Sequence, residues 1–293
     1  MIVDLAAVSP AERQDYLQHA IGPRPICFAS TVNAGGEVNL SPFSFFNMFS
    51  STPPILIFSP CRRVRDNTTK HTLQNVLEVP EVVINIVDYD LVQQVSLSSC
   101  EYARGVNEFV KAGLTPAAAT LVRPPLVKES KINIECRVIE VKPLGTEGGA
   151  GNLVICEALR MHVADSILNE KGRIDQRLLH HVARLGGNWY ARVDEHSLFE
   201  VEKPNTELGI GVDALPAPIR ESKILSGNDL GRLANVRELP LVDPSFDDAR
   251  LASIFQYFSV NPTDMERELH VYARELLAQG KTREAWQVLL ALN

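Results

Sequence analysis

Over the first two hundred residues, apolar positions fall in short blocks; near the end they recur at helical spacing. Ser9-Pro10-Ala11-Glu12 has the form of a helix start. Ser9 can cap, Pro10 suits the first helical position, and Glu12 can reach back to complete a capping box. Gly22-Pro23 stops that helix near Ile21. Strand patterns follow at Pro25–Val32, at Glu37–Leu40 after a turn over Asn33-Ala34-Gly35-Gly36, at Ile55–Ser59 and at Val82–Val87. Lys131–Val141 alternates over a long stretch, and Leu153–Val163 reads as its partner, with the glycine-rich Gly145–Gly151 as a flexible connecting loop. Helices are predicted over Thr69–Glu78, Tyr89–Ser98 and Ile174–Arg184.

Strands and helices do not alternate regularly, which argues against a doubly wound sheet. The expected fold class is mainly β: a β-barrel with helices over residues 1–204, ending near Pro204, and a C-terminal extension over residues 205–293. Pro216, Pro218, Pro240 and Pro244 punctuate the start of the extension, which turns helical from about Asp247. Its predicted helices are Asp247–Phe258, Thr263–Gln279 and Thr282–Leu292, with Gly280 ending one and Thr282 capping the next. The last pair resembles one hairpin of a helical repeat, but no second copy exists to make an array.

Composition narrows the class. The chain has 293 residues, 45% hydrophobic and 22% charged, an ordinary globular balance with enough length to bury a core. A net charge of −7 is wrong for wrapping nucleic acid. No segment approaches the roughly 20 apolar residues that span a bilayer, and the N-terminus lacks a signal-peptide pattern. Five scattered cysteines without a Cys-x-x-Cys pair fit reduced thiols. A cytoplasmic protein without membrane or nucleic-acid partners is expected.

Two clusters carry candidate chemistry. Six of eleven phenylalanines (Phe28, Phe43, Phe45, Phe46, Phe49, Phe58) lie between residues 28 and 58, interleaved with Ser41, Ser44 and Asn47. Core packing explains the rings alone; a planar heteroaromatic ligand explains flat walls with polar edges. Strand alternation sends Phe43, Phe45 and Asn47 to one face and Ser44, Phe46 and Met48 to the other. Residues 61–72 then hold Arg62, Arg63, Arg65 and Lys70 against a single acid, Asp66, with Asn67, Thr68, Thr69 and Thr72 leading into a predicted helix. Cations, hydroxyls and a helix N-terminus suit a phosphate, although a solvated basic loop has the same composition. One ligand with a flat ring and a phosphate tail satisfies both clusters.

These residues resemble, over roughly residues 20–205, the flavin reductase-like family, FMN-binding split barrels that include the reductase components of two-component monooxygenases. The matching residues are Arg24-Pro25, Ser30-Thr31, Gly36, Asn39, Ser41 to Asn47, Ser50, Pro53-Pro54 and Ser59. Lys70-His71-Thr72, Asn75-Val76, Val82 to Ile86, Asn107-Glu108-Phe109, Glu135-Cys136, His162, Leu185-Gly186-Gly187 and Tyr190 continue the match. The resemblance implies FMN as cofactor, NADH or NADPH as electron donor, a homodimer, and hydride transfer to the flavin, with a partner oxygenase as a possible acceptor. It places Ser30 and Thr31 near the flavin tail and Ser44, Phe45, Phe46 and Asn47 along the ring edge. Ser59, Lys70 and Thr72 would hold the phosphate, with Arg65 a looser candidate. His71 departs from the family's usual aspartate. The cofactor carries the chemistry, so no catalytic acid, nucleophile or metal site is expected. Two alternatives are an FMN-binding electron-transfer protein without NAD(P)H turnover and a flavin-free interaction module.

The remaining motifs read as structural. His180-His181 on a predicted helix would point to different sides, and no His-Glu-x-x-His spacing occurs. His162, on a predicted strand and in the matched motifs, reads first as structural, with an approach to the flavin or nicotinamide as the alternative. Ser98-Ser99-Cys100 lacks a nucleophile elbow and reads as an inert, buried cysteine. Gly145–Gly151 opens no helix and is no dinucleotide fingerprint.

Overall fold

The computed structural model describes residues 1–201, 203 and 208–291. The chain forms two compact units, Met1–Phe199 and Glu200–Asn293. The boundary expected at Pro204 lies outside the described residues.

The first unit opens with helix α1 (Pro10–Ala20), whose Ser9–Glu12 capping box forms as the sequence indicates. Strands β1 (Cys27–Val32), β2 (Val38–Phe43), β3 (Phe46–Ser51) and β4 (Pro54–Phe58) follow, then α2 (His71–Glu78), β5 (Glu81–Ile86), α3 (Val92–Leu97) and α4 (Glu108–Ala112). After the short β6 (Pro116–Ala117) and β7 (Leu126–Val127) come the long β8 (Ile132–Pro143) and β9 (Asn152–Val163). The unit closes with α5 (Gln176–Leu179) and the hairpin β10 (Val182–Arg184) and β11 (Tyr190–Arg192).

Seven strands make one antiparallel sheet in the order β2-β1-β5-β8-β9-β4-β3. Its ends meet. Phe43 of the edge strand β2 and Phe58 of β4 bring their rings to 5.3 Å, so the sheet curls into a barrel. Consecutive strands β2 and β3 therefore lie at opposite edges, and Ser44-Phe45 carries the chain across the seam. Hence a single alternating strand through residues 43–48 does not form: Phe43 and Phe46 both pack on the barrel core, and Asn47 and Met48 are exposed.

The barrel interior is filled by alternate residues of successive strands, including Cys27, Ala29, Ile84, Ile134 and Cys156. The outer face is crossed by residues 114–127. A fully buried carboxylate, Glu135, receives the N–H groups of Thr120, Leu121 and Val122. Asn85 Oδ1 accepts from Val127 N at 2.9 Å and from Asn133 Nδ2 at 2.7 Å.

Two expected helices are revised. The Ile174–Arg184 helix is only Gln176–Leu179, because His180 adopts a left-handed φ of 52° and the chain turns into β10. The Tyr89–Ser98 helix begins as a 3₁₀ turn at Tyr89–Leu91, capped by Asp88. Gly145–Gly151 is a fastened turn instead of a flexible loop: Arg62 N donates to Ala150 O and Gly149 N to Arg62 O. A Cβ on Gly148 would sit 3.0 Å from Val64 O, and one on Gly151 2.6 Å from Ser59 Oγ, so close approach to the 59–64 loop demands glycine at both.

The second unit is helical: α6 (Ala217–Arg220), α7 (Gly227–Leu233), α8 (Ala249–Phe258), α9 (Pro262–Ala278) and α10 (Thr282–Leu290). Helical turns thus start well before residue 247, α7 being nucleated by a Ser226–Asp229 capping box. Gly280 takes φ 77° after α9, and Lys281, not Thr282, is the N-cap of α10, without a side-chain bond. The end expected at Leu292 lies outside the described residues. Leu269, Ala273, Leu277 and Trp286 are buried at the centre of this unit's own core.

Candidate functional site

Helix α2 is the element that organises the site. Its buried face, Thr72, Leu73, Asn75 and Val76, docks on the barrel. Two polar pairs fix its register. Thr31 and Asn39 are cross-strand partners on one face of β1 and β2. Asn75 Nδ2 donates to Thr31 Oγ1 at 3.2 Å, and Thr72 Oγ1 donates to Asn39 Oδ1 at 2.7 Å. Asn39 Nδ2 then donates to Glu108 Oε1 at 2.8 Å, while Leu40 N donates to Glu108 Oε2 at 3.0 Å. Glu108 is buried, and that burial raises its carboxyl above the ordinary range.

The result is an aimed helix end. Lys70 is the N-cap, and no side chain caps it. The first turn therefore presents backbone N–H groups to a polar cleft lined by Asn39, Arg63, Lys70, His71, Thr72 and the 98–102 loop. The basic loop is largely self-satisfied. Arg62 donates to Asn67. Arg63 bonds Glu101 at 3.0 Å and the Thr68 hydroxyl at 2.8 Å. Arg65 is paired with Asp66 and Glu101 and is mostly exposed. With Glu101 folded onto this loop, four cations face two acids. Among the described residues, Lys70 alone of the four has no side-chain hydrogen bond or ion pair. Burial and the neighbouring Arg63 lower its pKa. Burial, with Arg63, Arg104 and Lys70 nearby, also lowers His71, so this ring is neutral near pH 7 and adds no charge where the family's usual residue would add a negative one.

The other sequence-predicted residues divide by placement. Ser59, at the end of β4, accepts from Asn152 N at 3.1 Å through its hydroxyl oxygen. Ser59 N donates to Phe45 O at 2.9 Å, which ties the seam crossing to the start of the basic loop. Ser44, Phe45, Phe46 and Asn47 line that crossing. Phe45 and Asn47 are exposed, and Asn47 Oδ1 accepts from Met48 N. Ser30 and Thr31 are fully buried within the fold, and the Ser30 hydroxyl has no partner. As placed, the Thr72 hydroxyl gives its proton to Asn39, so what Thr72 offers an anion is its backbone N–H.

The sequence assigns no site role to Asn39, Glu108 or Glu101, and names Arg63 only within the basic cluster. Asn39 and Glu108 stood in the matched motifs, and their pairing spans 69 positions of the chain, a separation no local pattern reports. Cys100, expected to be buried, is exposed beside this cleft. His162 Nε2 lies 2.6 Å from Glu135 Oε1, a structural contact that helps hold the outer face. No group of three or more His, Cys, Asp or Glu side chains among the described residues is placed to hold a metal. No described helix is long and apolar enough to cross a membrane.

Residues 21–186 match the flavin reductase like domain. The chain belongs to the flavin reductase-like family. An uncharacterized family relative from Aquifex aeolicus is 37% identical over 170 residues, covering 58% of this chain and 84% of its own. Another, from Halalkalibacterium halodurans, is 36% identical over 200 residues, covering 68% and 94%. The crystal structure of nitrilotriacetate monooxygenase component B from Bacillus cereus superposes with a TM-score of 0.64 at 30% identity, covering 69% of this chain and 98% of that one. This flavin reductase-like chain has the family's split barrel and its flavin-related oxidoreductase character. The matched domain ends at residue 186, so the helical second unit lies beyond it.

Proposed function

We propose that the protein binds FMN and transfers hydride to it from NADH or NADPH, as a homodimer, and that the reduced flavin serves a partner oxygenase. The observation that carries this reading is the uncapped start of α2 beside the half-buried Lys70, which is unpaired among the described residues. That arrangement supports an anion site in the family barrel. A phosphate there would receive backbone N–H groups of the first turn and the Lys70 ammonium, with Ser59 nearby at the seam. The exposed Phe45 and the amide of Asn47 would flank a flat ring at the same seam.

The charge balance of the cleft also suits a phosphate. Glu101 is occupied by Arg63 and Arg65, so its charge is balanced before a phosphate arrives. Bound flavin supplies the hydride-accepting chemistry. This chain's part is to hold the tail, orient the ring and leave one face open. The component B relative supports the partner oxygenase. The exposed apolar Phe45 at the crossing, with Met48 and Phe49 on the edge strand β3, supports self-association.

The test is the visible spectrum of the protein with FMN, before and after anaerobic NADH and then NADPH. Flavin bands that shift on binding and then bleach are expected, and the effective nucleotide names the donor. Bands that bind but stay oxidised would leave an electron-transfer protein. Unchanged free-FMN bands would refute the flavin site.

A further inference from the structure

A second cleft in the first unit takes no part in the site above. Its cavity of about 210 Å³ lies between α3 and the β10–β11 hairpin, with Tyr89, Val92, Val182 and Tyr190 as walls and Gln93 and Ser96 at its rim. The cleft is held by backbone bonds. Tyr89 N donates to His180 O, Val193 N to His181 O, and Arg184 N to Arg24 O, which joins the hairpin to the segment before β1.

Its charge is unusual. The Arg192 guanidinium lies 4.0 Å above the Tyr89 ring, and Arg184 lies 4.6 Å above the Tyr190 ring. Neither arginine has a carboxylate partner among the described residues. The nearby acids are answered elsewhere: Lys131 Nζ sits 3.1 Å from both Asp88 and Asp90. Arg184 also donates from Nη1 to Trp189 O and stands outside the cleft lining, so the stacked Arg192 guanidinium is the cation that borders this aromatic slot, in a chain of net charge −7. Stacking on tyrosine leaves the edge N–H donors of a guanidinium free for a planar anion.

We propose that this cleft is a binding site for a small aromatic carboxylate. The ring would sit against Tyr89, Val92, Val182 and Tyr190, and Arg192 would take the carboxylate edge-on. Size selects the class. The cavity is smaller than the roughly 300–1,000 Å³ of pockets for drug-sized ligands, so it suits one substituted ring and not a whole nucleotide. The proposal does not depend on flavin binding.

The experiment is calorimetric titration of the full-length protein with benzoate, and with benzamide as its neutral isostere. Saturable binding of one benzoate per chain is expected, at least about tenfold tighter than benzamide, the factor that a charge-assisted bond of 1.4 kcal/mol supplies. Arg192→Gln should abolish the preference for benzoate, and Tyr89→Leu should weaken both probes. Arg192 is exposed, so the variant should keep its fold, which its FMN titration and circular dichroism check. Equal binding of the two probes, an unchanged Arg192→Gln titration, or no saturation by about 10 mM benzoate would overturn the proposal. Tighter binding of adenosine 2′-phosphate than of benzoate would also overturn it, and would assign the cleft to the adenosine end of a nucleotide.

Discussion

Replacing Glu135 by glutamine tests whether one buried carboxylate fastens the outer face of the barrel. The carboxylate is fully buried. Oε1 receives Thr120 Oγ1 at 2.5 Å and His162 Nε2 at 2.6 Å, and Oε2 receives Leu121 N at 2.5 Å and Val122 N at 3.2 Å. Burial pushes the carboxyl up, but these donors outweigh it and bring it from 4.5 down to about 2. That displacement is worth about 3 kcal/mol of folding stability. Its sign follows from the direction. The folded state holds the ionised form, so the contribution is complete above the ordinary pKa and is lost as pH falls from there toward 2. Glutamine keeps the shape but turns an NH₂ toward backbone N–H groups, leaving donors unsatisfied. In calorimetry, the transition of the first unit should fall by about 6–12 °C at pH 7, given about 2–4 °C per kcal/mol at this size. The difference from wild type should shrink by about half or more at pH 3. A fall below about 2 °C at pH 7, or an equal deficit at both pH values, would refute the carboxylate's role.

Lys70→Ala should weaken FMN binding by about 1–3 kcal/mol and reduce discrimination between FMN and riboflavin in fluorescence titrations, because the lysine addresses only the phosphate. Equal affinity for the two flavins in the wild-type protein would show that the cleft at α2 holds no phosphate. Thr72→Ala should cost about 1–3 kcal/mol of stability by stranding buried Asn39 Oδ1, whereas Thr72→Ser should retain both the urea midpoint and FMN affinity. A chain ending at Phe199 should unfold cooperatively with near-native circular dichroism, since the first unit has its own core. An unfolded product would show that the second unit completes it.

The barrel was legible because its strands carry strong local signals. The long β8–β9 pair alternates, glycine marks its turn, and the Ser9 capping box forms as written. The failures lie where a distant contact overrode a local pattern. Residues 43–48 read as one strand, yet closure of the barrel places Phe43 and Phe46 at opposite edges of the sheet, and alternation cannot survive the crossing. The apolar spacing at Ile174–Arg184 suited a helix, but Val182 N bonds Val87 O and Arg184 N bonds Arg24 O, so tertiary pairing takes the second half.

The candidate site was legible by composition and not by wiring. A run with four cations and several hydroxyls suggests phosphate, but it does not say which cation remains available. The fold spends Arg62 on Asn67 and Arg63 and Arg65 on Glu101, an acid 36 or more residues away, leaving Lys70. The same logic separates Thr72 from its expected role. Its hydroxyl is committed to Asn39, and through Asn39 to Glu108, so it sets where α2 begins. On the proposed reading, the position of the helix N-terminus, more than the count of basic residues, is then the quantity that binding depends on. A substitution at Asn39 or Glu108 should therefore lower FMN affinity by shifting the start of α2. Asn39→Leu is the sharper case, since it removes the link between α2 and α4 while keeping volume. Weaker FMN binding with an unchanged FMN-to-riboflavin ratio would mean that the ring site moved, whereas a collapsed ratio would place the effect at the phosphate end, as the wiring requires.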